Sequence, residues 1–164
     1  MAWAFMSATS KPAEVVVPHR GPSLKARAMR LLARREHSRE ELRRKLLSHV
    51  AEGDDLGGVL DELAAKGWLS DARYAEAAIR YKSGRYGPLK LAHALRAKGV
   101  DEEAIAAAFR AAGEDGASNL ESVWKTRFRA LPTDERERAR QARFLQGRGF
   151  PLEEILQFLR RRSR

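Results

Sequence analysis

The sequence of 164 residues contains no cysteine, which excludes disulfides, thiolate metal sites and a cysteine nucleophile. It also lacks an apolar run of the roughly 20 residues that a helix needs to cross a bilayer. The apolar start at residues 1–6 is too short for the core of a signal peptide, and no basic segment precedes it. These absences predict a protein of the reducing cytoplasm with no membrane partner.

The usual signatures of catalysis and cofactor binding are missing as well. No Gly-Lys-Ser or Gly-Lys-Thr step occurs, so the sequence predicts no nucleotide hydrolysis at a P-loop. The four histidines are scattered, without His-x-x-x-His spacing or a cysteine partner for a metal ion. The acidic pairs at 54–55 and 102–103 are interpreted as a solvated loop and as favourable charge in a first helical turn. We therefore predict a binding protein, not an enzyme, with no catalytic residue, metal or cofactor.

Positive charge is what the sequence has in excess. Its 32 Lys and Arg residues outnumber its 22 Asp and Glu residues, which gives a net charge of +10. A positive field favours polyanions, chiefly nucleic acid, over small acidic molecules. Arginine is commoner than lysine and is the better bidentate ligand for phosphate. A GC-rich coding bias explains the same ratio equally well.

Apolar residues recur at helical spacing from Leu24 onward, with stop signals about every dozen residues. Residues 1–23 contain three prolines and little periodicity, and they predict a flexible leader. Aromatic residues are few, so no base-stacking platform is predicted. Four of them are assigned to the core: Trp68, Phe109, Trp124 and Phe128.

Polar residues at the predicted helix starts suit N-caps. Ser38 and Glu41 have capping-box spacing, in which Ser38 bonds forward and Glu41 bonds back. Asp101 and Thr133 are predicted to cap the sixth and eighth helices.

The predicted helices, nine in number, group as three sets of three. Residues 94–105 align without gaps on residues 144–155, whereas the first set matches the other two only loosely. A three-helix unit of about 45 residues buries little surface alone, so neighbouring units should stack. The predicted fold is all-α, an elongated array of three tandem three-helix repeats with right-angled, helix-turn-helix-like units. The predicted boundaries are 24–69, 70–113 and 114–164.

The junction between the first two sets reads as helix, stop, short link and helix. Lys66 suits the negative end of the helix dipole, and Gly67 can adopt the left-handed conformation that ends a helix. Trp68 would supply the apolar contact that often follows, and Ser70 or Asp71 can cap the next helix. We expect this junction to set the angle between repeats. Its predicted hinge residues are Gly67, Trp68, Ser70 and Asp71.

The same order of cation, glycine and apolar residue occurs twice more, at residues 98–100 and 148–150. There it ends the second helix of a set, one helix earlier than at the junction. The pattern predicts a recurring way to end a helix and not a fixed position in the repeat.

Basic residues form stripes on several predicted helices, as in the i, i+3, i+7 spacing of Arg27, Arg30 and Arg34. Two interpretations remain open for these stripes. They bind phosphates or an acidic protein surface, or they form a solubilising surface with i,i+4 partners. The predicted pairs of that kind are Glu40 with Arg44 and Glu41 with Lys45. The candidate binding residues are Arg27, Arg30, Arg34, Arg43, Arg44, Arg73, Arg96, Lys98, Arg140, Arg143 and Arg148.

The sequence resembles the RecX family, bacterial regulators of the RecA recombinase, over about residues 24–162. The most specific segment is Leu-Ala-Ala-Lys-Gly-Trp-Leu-Ser-Asp-Ala-Arg-Tyr-Ala at 63–75, where the family usually has Phe near Tyr74. Three more segments complete the resemblance, in the order that the family has them. They are residues 32–46, the Leu-Arg-Ala-Lys-Gly-Val run at 95–100, and Arg-Phe-Leu-Gln-Gly-Arg-Gly-Phe at 143–150.

The resemblance implies a non-enzymatic protein that binds the RecA–single-stranded DNA filament along its helical groove. It implies inhibition of the filament's ATPase, strand-exchange and coprotease activities, and a role in recombination, DNA repair and the SOS response. The implied partners are the RecA filament and the phosphates of single-stranded DNA, bound without sequence preference. A monomer is expected. An elongated array can bind several RecA protomers at once, which raises the overall affinity without strong single contacts. The alternative is a stand-alone, helix-turn-helix-type DNA-binding protein.

Overall fold

The structure is a computed structural model, which describes residues 21–117 and 119–161. Over these two ranges the chain forms nine α-helices, one 3-10 turn and no strand, which confirms the predicted all-α fold. Most of the predicted leader, 1–23, lies outside the described residues. The helices are α1 Leu24–Leu32, α2 Arg39–Leu46, α3 Leu56–Ala65, α4 Asp71–Lys82, α5 Pro88–Arg96, α6 Glu102–Ala117, α7 Leu120–Lys125, α8 Glu135–Arg148 and α9 Leu152–Arg161.

Side-chain caps begin several helices, though one predicted bond is replaced. Ser38 Oγ accepts the N–H of Glu41 at 3.1 Å, as the capping box predicts. Glu41, however, does not bond back to Ser38. Its carboxylate accepts two hydrogen bonds from the Arg35 guanidinium, at 2.6 and 3.2 Å, because a charged bidentate donor is a stronger partner than a backbone amide. The predicted pair between Glu41 and Lys45 is therefore also wrong.

The cap of the eighth helix lies one residue later than predicted. Asp134 accepts the N–H of Glu137 at 2.7 Å. Thr133 instead uses its own N–H and hydroxyl to donate to the Glu137 carboxylate, at 3.1 and 3.3 Å. The prediction for the sixth helix is confirmed, since Asp101 accepts the N–H of Ala104 at 2.7 Å.

Each group of three helices has its own hydrophobic core. The core of α1–α3 is built mainly from leucine, that of α4–α6 contains several alanines, and that of α7–α9 is aromatic. Separate cores of seven to nine buried residues are typical of a repeat array, in which each unit gains stability from its neighbours. The central members are Leu42, Leu46, Leu60 and Leu63 in the first core, Ala75, Ile79, Leu95 and Ile105 in the second, and Trp124, Leu145, Phe150 and Ile155 in the third.

One of the aromatic residues assigned to the core is not there. Trp124 and Phe128 are buried and Phe109 packs at the edge of the second core, but Trp68 is 44% exposed. Leu69, the next residue of the short link, fills the first core instead. The Trp68 ring contacts the ammonium of Lys66, whose Nζ lies 5.2 Å from the ring centroid.

Neighbouring repeats join through the same arrangement twice, in which the end of one repeat's second helix meets the start of the preceding repeat's second helix. Between the first two repeats, Ser38 Oγ at the start of α2 donates to the carbonyl of Lys98, just beyond α5, at 2.7 Å. A Cβ placed on Gly99 would lie 2.8 Å from the Cβ of Glu40. The glycine is therefore required for this close approach.

The second joint is tighter. The N–H groups of Gly87 and Leu89 at the start of α5 donate to the carbonyls of Arg148 and Gly149 at the end of α8, at 2.8 and 3.0 Å. A Cβ on Gly149 would lie 2.4 Å from the Cβ of Lys90 and 2.6 Å from its backbone nitrogen. Free amides at one helix start satisfy free carbonyls at another helix end, so α5 and α8 are joined head to tail.

Candidate basic interface

The first predicted basic stripe lies on and just after α1. Arg27 Nε donates to the carbonyl of Pro22 at 3.1 Å, which holds that guanidinium against its own helix start. Arg30 and Arg34 are exposed, and neither has an ion-pair partner among the residues that the structure describes. Two of these three predicted residues therefore present free cations.

Arg43 and Arg44 on α2 share one acidic partner. Glu40 accepts from Arg43 Nε at 2.8 Å and from Arg44 Nε at 2.7 Å, so the predicted pair of Glu40 with Arg44 is confirmed. The hydrogen bonds from the two guanidinium groups lower the pKa of Glu40 to about 2, so it stays charged at neutral pH. The pairs are solvent-exposed and weak, and together they leave one net positive charge for a ligand.

Two further predicted residues are also paired. Arg73 Nε on α4 donates to Glu36 at 2.8 Å, which ties the second repeat to the loop before α2. Arg96 forms a bidentate pair with Glu102, one of whose bonds measures 2.9 Å, and the bonds raise the pKa of Arg96 and lower that of Glu102. Both arginines therefore have a structural partner that competes with any ligand.

Lys98 lies at the joint between the first two repeats. It is half-buried and lines a hollow with Arg35, Tyr74 and the 86% exposed Tyr81. The pKa of Glu41, on the same hollow, is lowered chiefly by its hydrogen bond from Arg35 and to a smaller extent by the charge of Lys98. The positive charge of Lys98 is therefore felt by Glu41 at the joint as well as by any ligand on the surface.

The predicted residues of the third repeat fall in two environments. Arg143 is exposed without an acidic partner among the described residues. Arg140 lies over the Phe128 ring at 5.7 Å and has Glu137 at 3.7 Å. Arg148 is half-buried, with its guanidinium carbon 5.1 Å from the ring centroid of Phe144. The rings of Phe128 and Phe144 meet edge to face at 5.4 Å, so the structure brings Arg140 and Arg148 onto one surface.

Two members of this surface are missed by sequence reasoning. The guanidinium of Arg127 lies 5.7 Å from the Phe144 centroid, and Lys90 Nζ lies 4.9 Å from the centroid of Tyr86. Arg127 follows α7 and belongs to no helical stripe, so periodicity could not identify it. Lys90 and Tyr86 have i,i+4 spacing across the start of α5, a signal that was available but weak.

The predicted hinge has the expected local geometry. Gly67 has a φ of 69°, and the N–H of Trp68 donates to the carbonyl of Leu63 at 2.9 Å. Ser70 is the cap, since its Oγ accepts the N–H of Arg73 at 3.3 Å. The Asp71 carboxylate instead accepts the backbone N–H of Arg39, at the start of α2, at 2.7 Å, and so links two repeats. That the junction sets the angle between repeats stays a prediction.

Within residues 21–117 and 119–161, no helix has the length and apolar character to cross a membrane. No three His, Asp or Glu side chains in those ranges cluster as possible metal ligands.

Three small cores in tandem, joined head to tail and carrying unpaired cations, define an all-α repeat protein of the kind that binds through an extended surface. Three family models match the chain in order. They are the first three-helix domain of RecX over residues 25–68, the second over 70–108 and the third over 114–159. The chain belongs to the RecX family.

Two relatives illustrate the similarity in sequence. "Regulatory protein RecX" of Chromobacterium violaceum is 44% identical over 139 residues, which cover 85% of this chain and 90% of that protein. The protein of the same name from Pseudomonas entomophila is 46% identical over 130 residues, which cover 78% of this chain and 84% of that protein.

Two solved structures share the fold. The crystal structure of a regulatory protein RecX matches with a TM-score of 0.67 and 20% identity, covering 84% of this chain and 71% of that one. That of RecX from Lactobacillus salivarius matches with the same TM-score and 19% identity, covering 83% of this chain and 94% of that one.

Proposed function

We propose that this chain is a non-enzymatic regulator that binds the RecA–single-stranded DNA filament and mainly inhibits its ATPase, strand-exchange and coprotease activities. The observation that carries the proposal is the match of three RecX domains, in order, along the chain. Relatives named "Regulatory protein RecX" that are 44–46% identical support the regulatory role. The proposed setting is the cytoplasm, in control of recombination, DNA repair and the SOS response.

The architecture gives this function a physical basis. Three units held in fixed order can bind several RecA protomers at once, and linked weak contacts raise the overall affinity. Cations without acidic partners are available for phosphates of the filament's DNA or for acidic RecA surface. In this proposal the chain acts as a monomer, and its affinity decreases with salt because binding releases counterions.

The test is the DNA-dependent ATPase of RecA, titrated with the purified chain. We expect inhibition at substoichiometric amounts, together with shorter filaments in electron micrographs. Unchanged ATPase and unchanged filament length at excess chain would contradict the proposal. An electrophoretic shift assay with and without RecA separates this function from the stand-alone alternative, which predicts tight, sequence-selective binding to duplex DNA in the absence of RecA.

Charge reversal tests Arg140 and Arg143, which the sequence predicts to form a basic stripe on α8 like that of Arg27, Arg30 and Arg34. The double variant Arg140→Glu, Arg143→Glu should weaken inhibition of the RecA ATPase, with the larger loss at low salt, where the charges are least screened. The matched control is Arg80→Glu, Arg110→Glu, which makes the same change in net charge on α4 and α6. Intact inhibition by the Arg140, Arg143 variant would remove this stripe from the interface.

A further inference from the structure

A row of alternating cations and aromatic rings crosses the joint between the second and third repeats. Lys90 and Arg148 lie over Tyr86 at 4.9 and 5.9 Å, and Arg148 also lies over Phe144 at 5.1 Å. Arg127 covers the same Phe144 ring at 5.7 Å. We call this row the cation–ring strip, and Phe128 with Arg140 extends it at one end.

The joint itself holds the strip in place. Gly87, next to Tyr86, donates its N–H to the carbonyl of Arg148 at 2.8 Å, so a backbone hydrogen bond holds the segment of Tyr86 against Arg148. Lys90 is held by the close approach of Gly149 to its backbone. The strip is therefore assembled by two repeats and exists only when they are joined.

The cations of the strip are available to a ligand. Lys90, Arg127 and Arg148 have no carboxylate within ion-pair distance among the described residues, in contrast to Arg43, Arg44, Arg73 and Arg96. Arg140 has one, at 3.7 Å. Lys90, Arg127 and Arg140 are exposed, and Arg148 is half-buried. Three charges thus lie together without a counter-charge from this part of the protein.

The rings change what these cations can bind. A guanidinium that rests on an aromatic face has lost part of its rotamer freedom before a ligand arrives, so less entropy is lost on binding. Its plane can stack with a nucleobase while its N–H groups donate to phosphate. Beside the strip, Arg127, Phe128, Arg140 and Phe144 line an open hollow of about 410 Å³.

We infer that the cation–ring strip is a binding site for single-stranded DNA, which holds the phosphate backbone on Lys90, Arg127 and Arg148 and stacks a base on the exposed guanidinium of Arg127. The inference deepens the proposed function, on which the choice of single-stranded DNA rests. Unpaired surface cations without rings would attract any polyanion. Alternating rings and cations are instead the arrangement that suits unpaired bases linked by phosphates.

The test is fluorescence anisotropy of a labelled oligo(dT) without RecA, at several salt concentrations. The variant Arg127→Gln, Arg148→Gln should bind about tenfold more weakly at low salt, and its log–log salt slope should fall by about 1.4, since each lost phosphate contact contributes roughly 0.7. The control Arg80→Gln, Arg110→Gln removes the same charge from α4 and α6 and should bind nearly as the parent does. Equal loss in the two variants would overturn the inference.

Two further variants guard against misfolding and against a pure charge effect. Lys90→Gln, Arg140→Gln removes exposed cations only, and should also weaken oligo(dT) binding with an unchanged melting temperature. Arg127→Lys, Arg148→Lys keeps the charge and should retain most of the salt slope while losing affinity. Unchanged affinity in both variants would overturn the inference.

Competition distinguishes the ligand. A duplex with the same number of phosphates should displace labelled oligo(dT) less well than unlabelled oligo(dT) does. Equal displacement by the two competitors would contradict a site for single-stranded DNA. A Gln variant that loses binding to RecA filaments but keeps parental affinity for oligo(dT) would assign the strip to a protein surface and overturn the inference. If the parent chain binds oligo(dT) through the strip yet leaves the RecA ATPase unchanged, the strip stands and the proposed function fails.

Discussion

The chain ends three helices with the same local motif, and the tertiary structure uses one of them differently. Gly67, Gly99 and Gly149 all have a left-handed φ, of 69°, 76° and 92°. In each case a cation precedes the glycine, and the N–H of the following apolar residue donates to the carbonyl five residues earlier. The local hydrogen bonding at the three positions is the same.

The surroundings of the three glycines differ. A Cβ on Gly67 would meet nothing within 4 Å, whereas one on Gly99 or Gly149 would overlap the first turn of the preceding repeat's second helix. The residue after each glycine differs in the same way, since Trp68 is 44% exposed while Val100 and Phe150 are 4% and 1% exposed. The motif thus ends a helix at Gly67 and also interlocks two repeats at the other positions.

The largest effect should come from the apolar residue after the glycine. Phe150→Ala removes a fully buried ring from the third core and should lower the free energy of unfolding by about 3–5 kcal/mol. Trp68→Ala is the matched control, and its exposed ring should cost less than about 1 kcal/mol. Urea unfolding followed by circular dichroism measures both. Similar losses in the two variants would mean that the two sites are equivalent.

Substitution of the glycine should also destabilise the fold more at Gly149 than at Gly67. Gly149→Ala combines left-handed strain with overlap against the backbone of Lys90, so we expect a loss of about 3 kcal/mol. Gly67→Ala has the strain alone and should cost about 1–2 kcal/mol. Both values come from the same unfolding experiment. A Gly149 variant as stable as the Gly67 variant would show that the joint relaxes freely.

The hinge hypothesis predicts a functional effect at Gly67. Gly67→Val should cost about 1 kcal/mol or more through backbone strain, and it should weaken RecA inhibition although it removes no basic residue. The measurement is the half-inhibitory concentration in the RecA ATPase assay, at a temperature where the variant stays folded. Full inhibition by this variant would mean that the angle set at this junction does not matter for inhibition.

The smallest difference in stability should come from the ion pairs near the two kinds of helix end. Glu41 is nearly buried near the Gly99 joint, and hydrogen bonds from Arg35 hold its pKa below the ordinary value of 4.5. A carboxyl whose pKa is lower in the folded state stabilises the fold above its unfolded pKa, and this contribution disappears as the pH falls through the folded pKa. Glu41→Gln should therefore cost about 1 kcal/mol at pH 7 and progressively less below about pH 4.5.

The matched control for Glu41 is Glu62, which pairs with Lys25 and Lys66 near the Gly67 junction. Its pKa is lowered to about 2, but its pairs are exposed, so Glu62→Gln should leave the unfolding midpoint nearly unchanged. Thermal melts at pH 7 and pH 3.5 compare the two variants. A pH-independent loss in Glu41→Gln would indicate a packing effect and not an ionic one.

Much of the fold follows from local chemistry that the sequence displays. Helical spacing, stop signals and N-caps predict nine helices, and the left-handed glycine at 67 follows from its place after Lys66. The errors are at places where two partners compete. Glu41 was expected to bond to its own helix start, but Arg35 supplies a stronger donor. The sequence predicts Trp68 in the core, but Leu69 packs in the first core and Trp68 lies exposed beside Lys66.

The candidate interface could be predicted only in part. Spacing identifies Arg140 and Arg143 as members of one stripe, and it identifies the pair of Glu40 with Arg44. It cannot show that Arg73 is occupied by Glu36, because that pair joins two elements that are 37 residues apart.

By itself, the sequence determined which segments are helical, where left-handed glycines end them, and that the surface is basic. These properties depend on residues within a turn or two of one another. Only the tertiary structure decided which glycines interlock repeats and which cations stay unpaired. It also decided that Tyr86 and Arg148, far apart in the chain, share one surface. The reason is that these properties depend on packing between helices, which spacing along one helix does not encode.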